Sequence, residues 1–332
     1  MELHQQKYID PICDSRENRL TVYPIKHPKI WESYKYQQAA IWNAEEIDFQ
    51  EDYDDFMSLT ENEQKFIKYI LAFFASSDII VNINLAERFS REVNIIEATI
   101  AYQFQIMMEN IHAETYSLQI NNIIRDEEEK RHINNAIVEL PCLKEKAEWV
   151  FNWIKSDSSY AQRLIAFAIV EGVFFSGSFC SIFWIKKYKN KMPGLVTSNE
   201  FIARDEGMHT DFACLIYNDY IHSKNKLSQE SVHEMMKEAV EIESRFICES
   251  LSCGLIGMNS KLMIEYIQFV ADHLLLKLNY TKIWNNKNPF PWMESLSLEG
   301  KTNFFESRAS QYQKASVFNK SNNQEFEILD DF

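Results

Sequence analysis

A chain of 332 residues has room for one large domain or two ordinary ones, and an apolar content of 46% supplies a sizeable core. A net charge of −15, with pI about 5.1, argues against non-specific binding to nucleic acid, whose phosphates reward basic faces. Six scattered cysteines (Cys13, Cys142, Cys180, Cys214, Cys248, Cys253) form no CxxC, which argues against a disulfide framework or a zinc site and for a reducing compartment. The N-terminal stretch has neither an apolar signal core nor an Arg-rich amphipathic presequence, so the expected location is cytoplasmic.

Only seven Gly and seven Pro occur, and none falls between Pro28 and Pro141. A stretch that long without the strongest breakers predicts helices rather than strands and turns. In chain order, helices are expected at 31–44, 61–88, 91–124, 128–138, 143–155, 159–188, 197–222, 229–253 and 259–279. Thr60 to Glu63 and Thr197 to Glu200 both fit a capping box, and Met192-Pro193-Gly194 reads as a turn. Residues 301–332 are rich in Gln, Asn and Ser and lack clear periodicity. They read as a flexible tail after one helical domain, 1–300.

Residues 164–185, LIAFAIVEGVFFSGSFCSIFWI, are long and apolar enough to suggest a membrane span. Glu171 in the middle, at least ~2.5 kcal/mol at bilayer mid-depth, and three serines argue for a soluble core helix, and no second segment of comparable length and apolarity is evident. A buried carboxylate then needs an ion partner or a metal.

Two Glu-x-x-His motifs supply the context: Glu109 to His112 and Glu206 to His209. Spacing i, i+3 puts carboxylate and imidazole on one helix face. Glu171 and Asp78, each a charge in an apolar run, complete a four-helix carboxylate pattern for two metal ions; Glu87, near a helix end, is the rival for the first position. Any one of these residues has an ordinary core reading. The ordered set Asp78, Glu109, His112, Glu171, Glu206, His209 does not reduce to that. Four carboxylates balance two divalent ions, and carboxylate with imidazole but no thiolate suits iron or manganese. Tyr116 lies one turn beyond His112 on the same face, although a core tyrosine has the same signature. Phe175, Phe179 and Ile202 fall at helical spacing from the carboxylates and are expected to wall the site.

At this point the sequence resembles the small subunit of class I ribonucleotide reductase, of the eukaryotic and viral type. The resemblance rests on AEEID (44–48), LAFFASSD (71–78), MENIHAETYSL (108–118), VEGVFFSGSF (170–179), MPGL…SNE…RDEGMHTDFACL (192–215), LIGMN (255–259), SLEGKTNFFE (297–306) and FEILDDF (326–332). It implies an all-α, ferritin-like helical bundle with a di-iron carboxylate core and a flexible C-terminal tail. It implies that the six residues above bind two iron ions, with manganese also open, and that Tyr116 becomes a tyrosyl radical. Trp42, Asp205 and His112 fall on the family's buried relay, and Tyr312 on the tyrosine that passes the radical across the subunit interface. Phe326, Leu329 and Phe332 are expected as apolar anchors on the large subunit, with Asp330 and Asp331 in a basic groove. A homodimer is implied too, with no nucleic acid and no membrane as partners. Ile83 and His273 depart from the family pattern, where glutamate and arginine are usual.

No GxGxxG or GxxxxGK[ST] occurs, so the nucleotide is expected on the large subunit. Three alternatives stand beside this one: another di-iron carboxylate oxidase, a ferritin-like storage protein, and a non-catalytic scaffold subunit. Tyr116 and the acidic-aromatic tail discriminate against them.

Overall fold

The computed structural model describes residues 8–250 and 258–293. The chain divides after Pro289 into two units, and of the second only residues 290–293 are described. Among the described residues the regular structure is helical, with no strand.

After a short N-terminal arm, α1 (Pro28–Ala39) and α2 (Asp52–Met57) precede α3 (Glu61–Asn84). Thr60 and Glu63 form the expected capping box at the start of α3: the Thr60 hydroxyl accepts from the Glu63 N–H and the Glu63 carboxylate from the Thr60 N–H. At its far end α3 passes through a π-helical turn, Leu85–Phe89, into Ser90–Glu92. There follow α4 (Ile96–Ile123), α5 (Glu127–Glu139) and α6 (Pro141–Lys155), the last begun by a proline whose missing N–H is harmless in a first turn. Next, α7 (Tyr160–Ile169) runs through a second π-helical turn, Val170–Phe174, into α8 (Ser176–Tyr188). The fold continues with α9 (Pro193–Tyr220), α10 (Gln229–Ser250) and α11 (Ser260–Lys277).

Three expectations need correction. The helix 31–44 ends at Ala39, which leaves Trp42 in the following turn rather than on a helix. The capping box at Thr197 is not used, because α9 begins four residues earlier at Pro193. Asp52 of α2 caps that helix from outside, accepting the Gly194 and Leu195 N–H groups at 2.9 and 2.7 Å. Asp55 accepts the N–H of Met192, which sits in the left-handed region at φ 56°. Gly194 is required there, since a Cβ would come within 2.5 Å of the Asp48 carbonyl oxygen. Finally, Glu61–Glu92 as well as Tyr160–Tyr188 is apolar enough, by length and composition, to cross a membrane. Both are core helices here, with 61% and 94% of their most apolar windows buried.

The core forms where α3 packs along α4, and α9 along α7 and α8. The second π-turn lies against α9, α10 and α11. Four segments, namely α3, α4, the second π-turn and α9, therefore face a common interior.

Candidate metal centre

Each of the four segments contributes carboxylate to that interior. Asp78 projects from α3 and is fully buried, with Ser77 Oγ 3.3 Å from its Oδ1. The rival Glu87 is exposed on the first π-turn. Glu109 and His112 lie one turn apart on α4, and Glu206 and His209 one turn apart on α9. Glu171 sits inside the second π-turn, where the widened helix carries it into the interior. All six predicted residues are buried and converge.

Their arrangement is paired. His112 Nδ1 lies 3.2 Å from Glu109 Oε2 and 3.2 Å from Glu206 Oε1. His209 Nδ1 lies 2.9 Å from Glu109 Oε1, and 3.4 Å from both Glu206 Oε2 and Glu171 Oε2. Glu109 and Glu206 thus turn one oxygen toward each imidazole. Asp78 joins Glu109 and His112 with donor atoms within 4.8 Å of one another, and Glu109, Glu171, Glu206 and His209 do the same. Two donor sets that share a carboxylate describe two adjacent cation sites.

The electrostatics fit that occupant. Asp78 Oδ2, Glu109 Oε1, Glu171 Oε2 and Glu206 Oε1 are buried and receive no well-directed hydrogen bond. Such groups are costly unless a cation satisfies them. Burial, then the Glu109 charge, pushes the Asp78 carboxyl well above its usual range. Burial, then the Glu206 charge, does the same to Glu171. Burial also opposes charge on Glu206, but hydrogen bonding from Glu171, His112 and His209 outweighs it and holds that carboxyl low. Both imidazoles resist deprotonation: burial disfavours their charge, and the surrounding carboxylates more than offset it. Protons here occupy positions that two divalent cations would fill, and oxygen and imidazole donors without thiolate suit iron or manganese.

Behind His112 runs a polar line. Its Nε2 lies 3.1 Å from Asp205 Oδ2, and Trp42 Nε1–H donates to the same oxygen at 2.7 Å. The Trp42 and His112 rings stack with centroids 6.0 Å apart. Arg204 donates to Asp205 Oδ1 at 2.8 and 3.1 Å and to the Ala40 carbonyl at 2.7 Å, tying the turn that holds Trp42 to α9. Burial opposes the Asp205 charge, but the hydrogen bond from His112 and the Arg204 charge outweigh it and keep the carboxyl low. The sequence reading missed Arg204, because neighbours at i, i+1 do not share a helix face. It also missed Gln105, whose Nε2 donates to Glu171 Oε1 at 3.4 Å; its place four residues before Glu109 was the available signal.

Tyr116 is fully buried, and its hydroxyl donates to Asn199 Oδ1 at 2.9 Å. Asn199 is fixed in turn by its own Nδ2, which donates to the Leu195 carbonyl at 2.8 Å. The Tyr116 ring stacks on Phe74 with centroids 4.6 Å apart and an interplanar angle of 2°. Phe179 and Phe175 pack on Phe74 at 5.0 and 5.7 Å, and Ile202 is fully buried on α9. Phe175 and Phe179 thus reach the tyrosine's surroundings through Phe74, whose ring stacks on Tyr116. Phe74 and Asn199 were missed, although they lie four residues before Asp78 and seven before Glu206. Burial, then the charges of Asp78, Glu206 and Glu109, drives the Tyr116 phenol well above its usual range. Tyr312, Phe326, Leu329, Asp330, Asp331 and Phe332 lie outside the described residues. His273 is exposed and Ile83 half-buried.

The family model for the ribonucleotide reductase small chain matches residues 19–289. The protein belongs to the ribonucleotide reductase small-chain family. It is 53% identical to the ribonucleoside-diphosphate reductase small chain of Plasmodium falciparum, a match that covers 97% of this sequence and 91% of that one. A ribonucleoside-diphosphate reductase small chain of Arabidopsis thaliana is 51% identical, covering 97% of this sequence and 95% of its own. Among solved structures, the ribonucleotide reductase Rnr4 homodimer of Saccharomyces cerevisiae is 39% identical, with TM-score 0.74, covering 89% of this sequence and 90% of that one. As a small chain of ribonucleotide reductase, the protein is one component of an oxidoreductase that pairs with a large chain. Its helical fold and its buried carboxylate–histidine cluster are those of a dimetal protein of this kind.

Proposed function

We propose that this protein generates and stores the radical for ribonucleoside-diphosphate reduction. It would hold two iron ions and form the radical at Tyr116. The observation that carries this reading is a fully buried tyrosine one turn from His112, behind an aromatic wall, with a hydrogen-bonded line from His112 through Asp205 to Trp42.

Glu109 and Glu206, each facing both imidazoles, would help to hold both ions in this reading. Asp78 belongs to the His112 side and Glu171 to the His209 side. When bound, the iron pair supplies the oxidising power drawn from O2. Tyr116 gives up one electron and one proton together, since its buried phenol resists prior ionisation. Asn199 Oδ1 accepts from the hydroxyl and orients it. Phe74, Phe175 and Phe179 keep water and small reductants from the ring. Asp205 holds Trp42 and His112 on one oxygen, which gives an electron a short buried route out.

The remaining parts of the proposal are a homodimer, a cytoplasmic setting, transfer through Tyr312, and docking of the large chain by Phe326 to Phe332. The homodimeric assembly of the yeast relative supports the first of these. Reconstitution of metal-free protein with Fe(II) and O2, followed by electron paramagnetic resonance, tests the central claim. A tyrosyl signal that is absent from Tyr116→Phe is expected. Metal oxidation with no radical in the unsubstituted protein would instead make this a metal oxidase or a scaffold of the same fold.

A further inference from the structure

Glu171 is the one predicted metal-binding residue that does not stand on regular α-helix. A π-turn is a local departure from the ordinary ladder, and it holds one shape only if its surroundings fix it. Those surroundings include an unexpected group. Lys146 of α6 is almost completely buried, and its Nζ donates to the carbonyl of Phe174, the last residue of the turn, at 2.8 Å. The same ammonium contacts Glu243 Oε2 of α10 at 2.5 Å. It lies 3.4 Å from the centroid of Phe73, 4.2 Å from Phe246 and 5.3 Å from Phe174.

This is an expensive way to fill a core. Two ions have left water, and an apolar pair of similar volume would fill the space without that penalty. What lysine adds is a charged donor aimed at the end of the π-turn. Glu243 packs closely on the backbone at Gly177, where a Cβ would come within 2.6 Å of Glu243 Oε1 and 2.7 Å of Ile247. The turn is bounded again at Gly172, where a Cβ would press on Thr210 and Leu274 at 3.3 Å. Phe73 links the device to the wall of the radical site, since it packs on both Phe74 and Phe175.

We propose that Lys146 and Glu243 are positioning residues: by clamping the Phe174 carbonyl they fix the π-turn and so hold Glu171 at the His209 side of the metal centre. The inference rests on the dimetal reading of the site. Burial draws the Lys146 ammonium down to about 8 and lifts the Glu243 carboxyl to about 6, so both charges persist at neutral pH.

The test is titration of the full-length, metal-free protein with Co(II), following the visible absorption that reports coordination at each site. The unsubstituted protein is expected to take two Co(II) ions. Lys146→Met is expected to bind one ion normally and the second about 10–100-fold more weakly, the usual effect of removing a support behind a ligand. Lys146→Met/Glu243→Leu, which leaves no unpaired charge, guards against a mere folding failure and is expected to show the same selective loss. In a Glu171→Ala background, Lys146→Met should weaken Co(II) binding no further. Equal weakening at both sites, no weakening in either variant, or an added loss in the Glu171→Ala background would each overturn the proposal. Failure of the unsubstituted protein to bind two ions would overturn the dimetal reading itself, and this inference with it.

Discussion

His112 and His209 enter the centre from neighbouring helices, through the same nitrogen and with a glutamate at the same spacing, but their settings differ. His112 turns its second nitrogen to Asp205, and through that oxygen it joins Trp42 and Arg204. His209 meets a third carboxylate, Glu171, which rides on a π-turn clamped by a buried lysine. One half is wired outward by polar groups; the other is shaped by packing around a deformable turn. Identical ligand motifs can therefore serve unequal purposes, and the distinction lies in residues that touch no metal.

The largest effects should come from the carboxylates that both halves share. Glu109→Ala and Glu206→Ala are expected to abolish tight binding of both Co(II) ions, since each glutamate faces both imidazoles. Asp78→Ala should remove only the ion on the His112 side, and Glu171→Ala only that on the His209 side. If Glu109→Ala retained one site of full affinity, the shared arrangement would be wrong.

The next effect should split the halves by function. Asp205→Asn is expected to retain both metals and the Tyr116 radical, yet to lower ribonucleotide reduction with the large chain by about 10–100-fold. Metal content, radical yield and turnover, measured on one preparation, check this. A matching loss of radical would mean that Asp205 builds the site rather than connecting it.

How far this asymmetry could be read beforehand depends on periodicity. Asp78, Glu109, His112, Glu171, Glu206 and His209 were legible because charges in apolar helices and i, i+3 spacing are local signals. Tyr116, Phe175 and Phe179 followed from the same helical spacing. Arg204 and Lys146 were not legible, because one sits at the wrong offset on its own helix and the other acts from another segment; Gln105 and Asn199 stand at helical spacing from Glu109 and Glu206, but the partners they serve, Glu171 and Tyr116, lie on other segments. The start of α9 was misplaced for the same reason: its cap is Asp52, some 140 residues upstream, as the Gly194 and Leu195 contacts record. The π-turn at Glu171 has no marker in composition that separates it from ordinary helix.

A smaller effect concerns the tyrosine. Asn199→Leu leaves the buried Tyr116 hydroxyl without its acceptor, which should destabilise the metal-free protein by about 1–3 kcal/mol in chemical denaturation. Combined with Tyr116→Phe, most of that loss should disappear, because no hydroxyl then remains to satisfy. Additive losses would show that Asn199 serves α9, through its bond to Leu195, more than it serves Tyr116.

The gentlest effect, per pH unit, is a slope set by the Lys146–Glu243 pair behind the His209 half. Glu243 has its carboxyl raised by burial to about 6, from 4.5. The folded state therefore keeps a proton there that the unfolded state has lost, and stability falls as pH rises from about 4.5 to 6. Lys146 has its ammonium lowered by burial to about 8, from 10.5. Here the unfolded state keeps the proton longer, and stability rises with pH between about 8 and 10.5. Neither slope can exceed about 1.4 kcal/mol per pH unit. The pair is thus least favourable between those windows, where both groups are charged. Lys146→Met/Glu243→Leu should lack both slopes, so its stability relative to the unsubstituted metal-free protein should peak between about pH 6 and 8. A difference that did not vary with pH would contradict this account of the pair. A variant that is more stable at neutral pH yet weaker for the second Co(II) would separate the two roles, since a pair kept only for stability could not gain the one while losing the other.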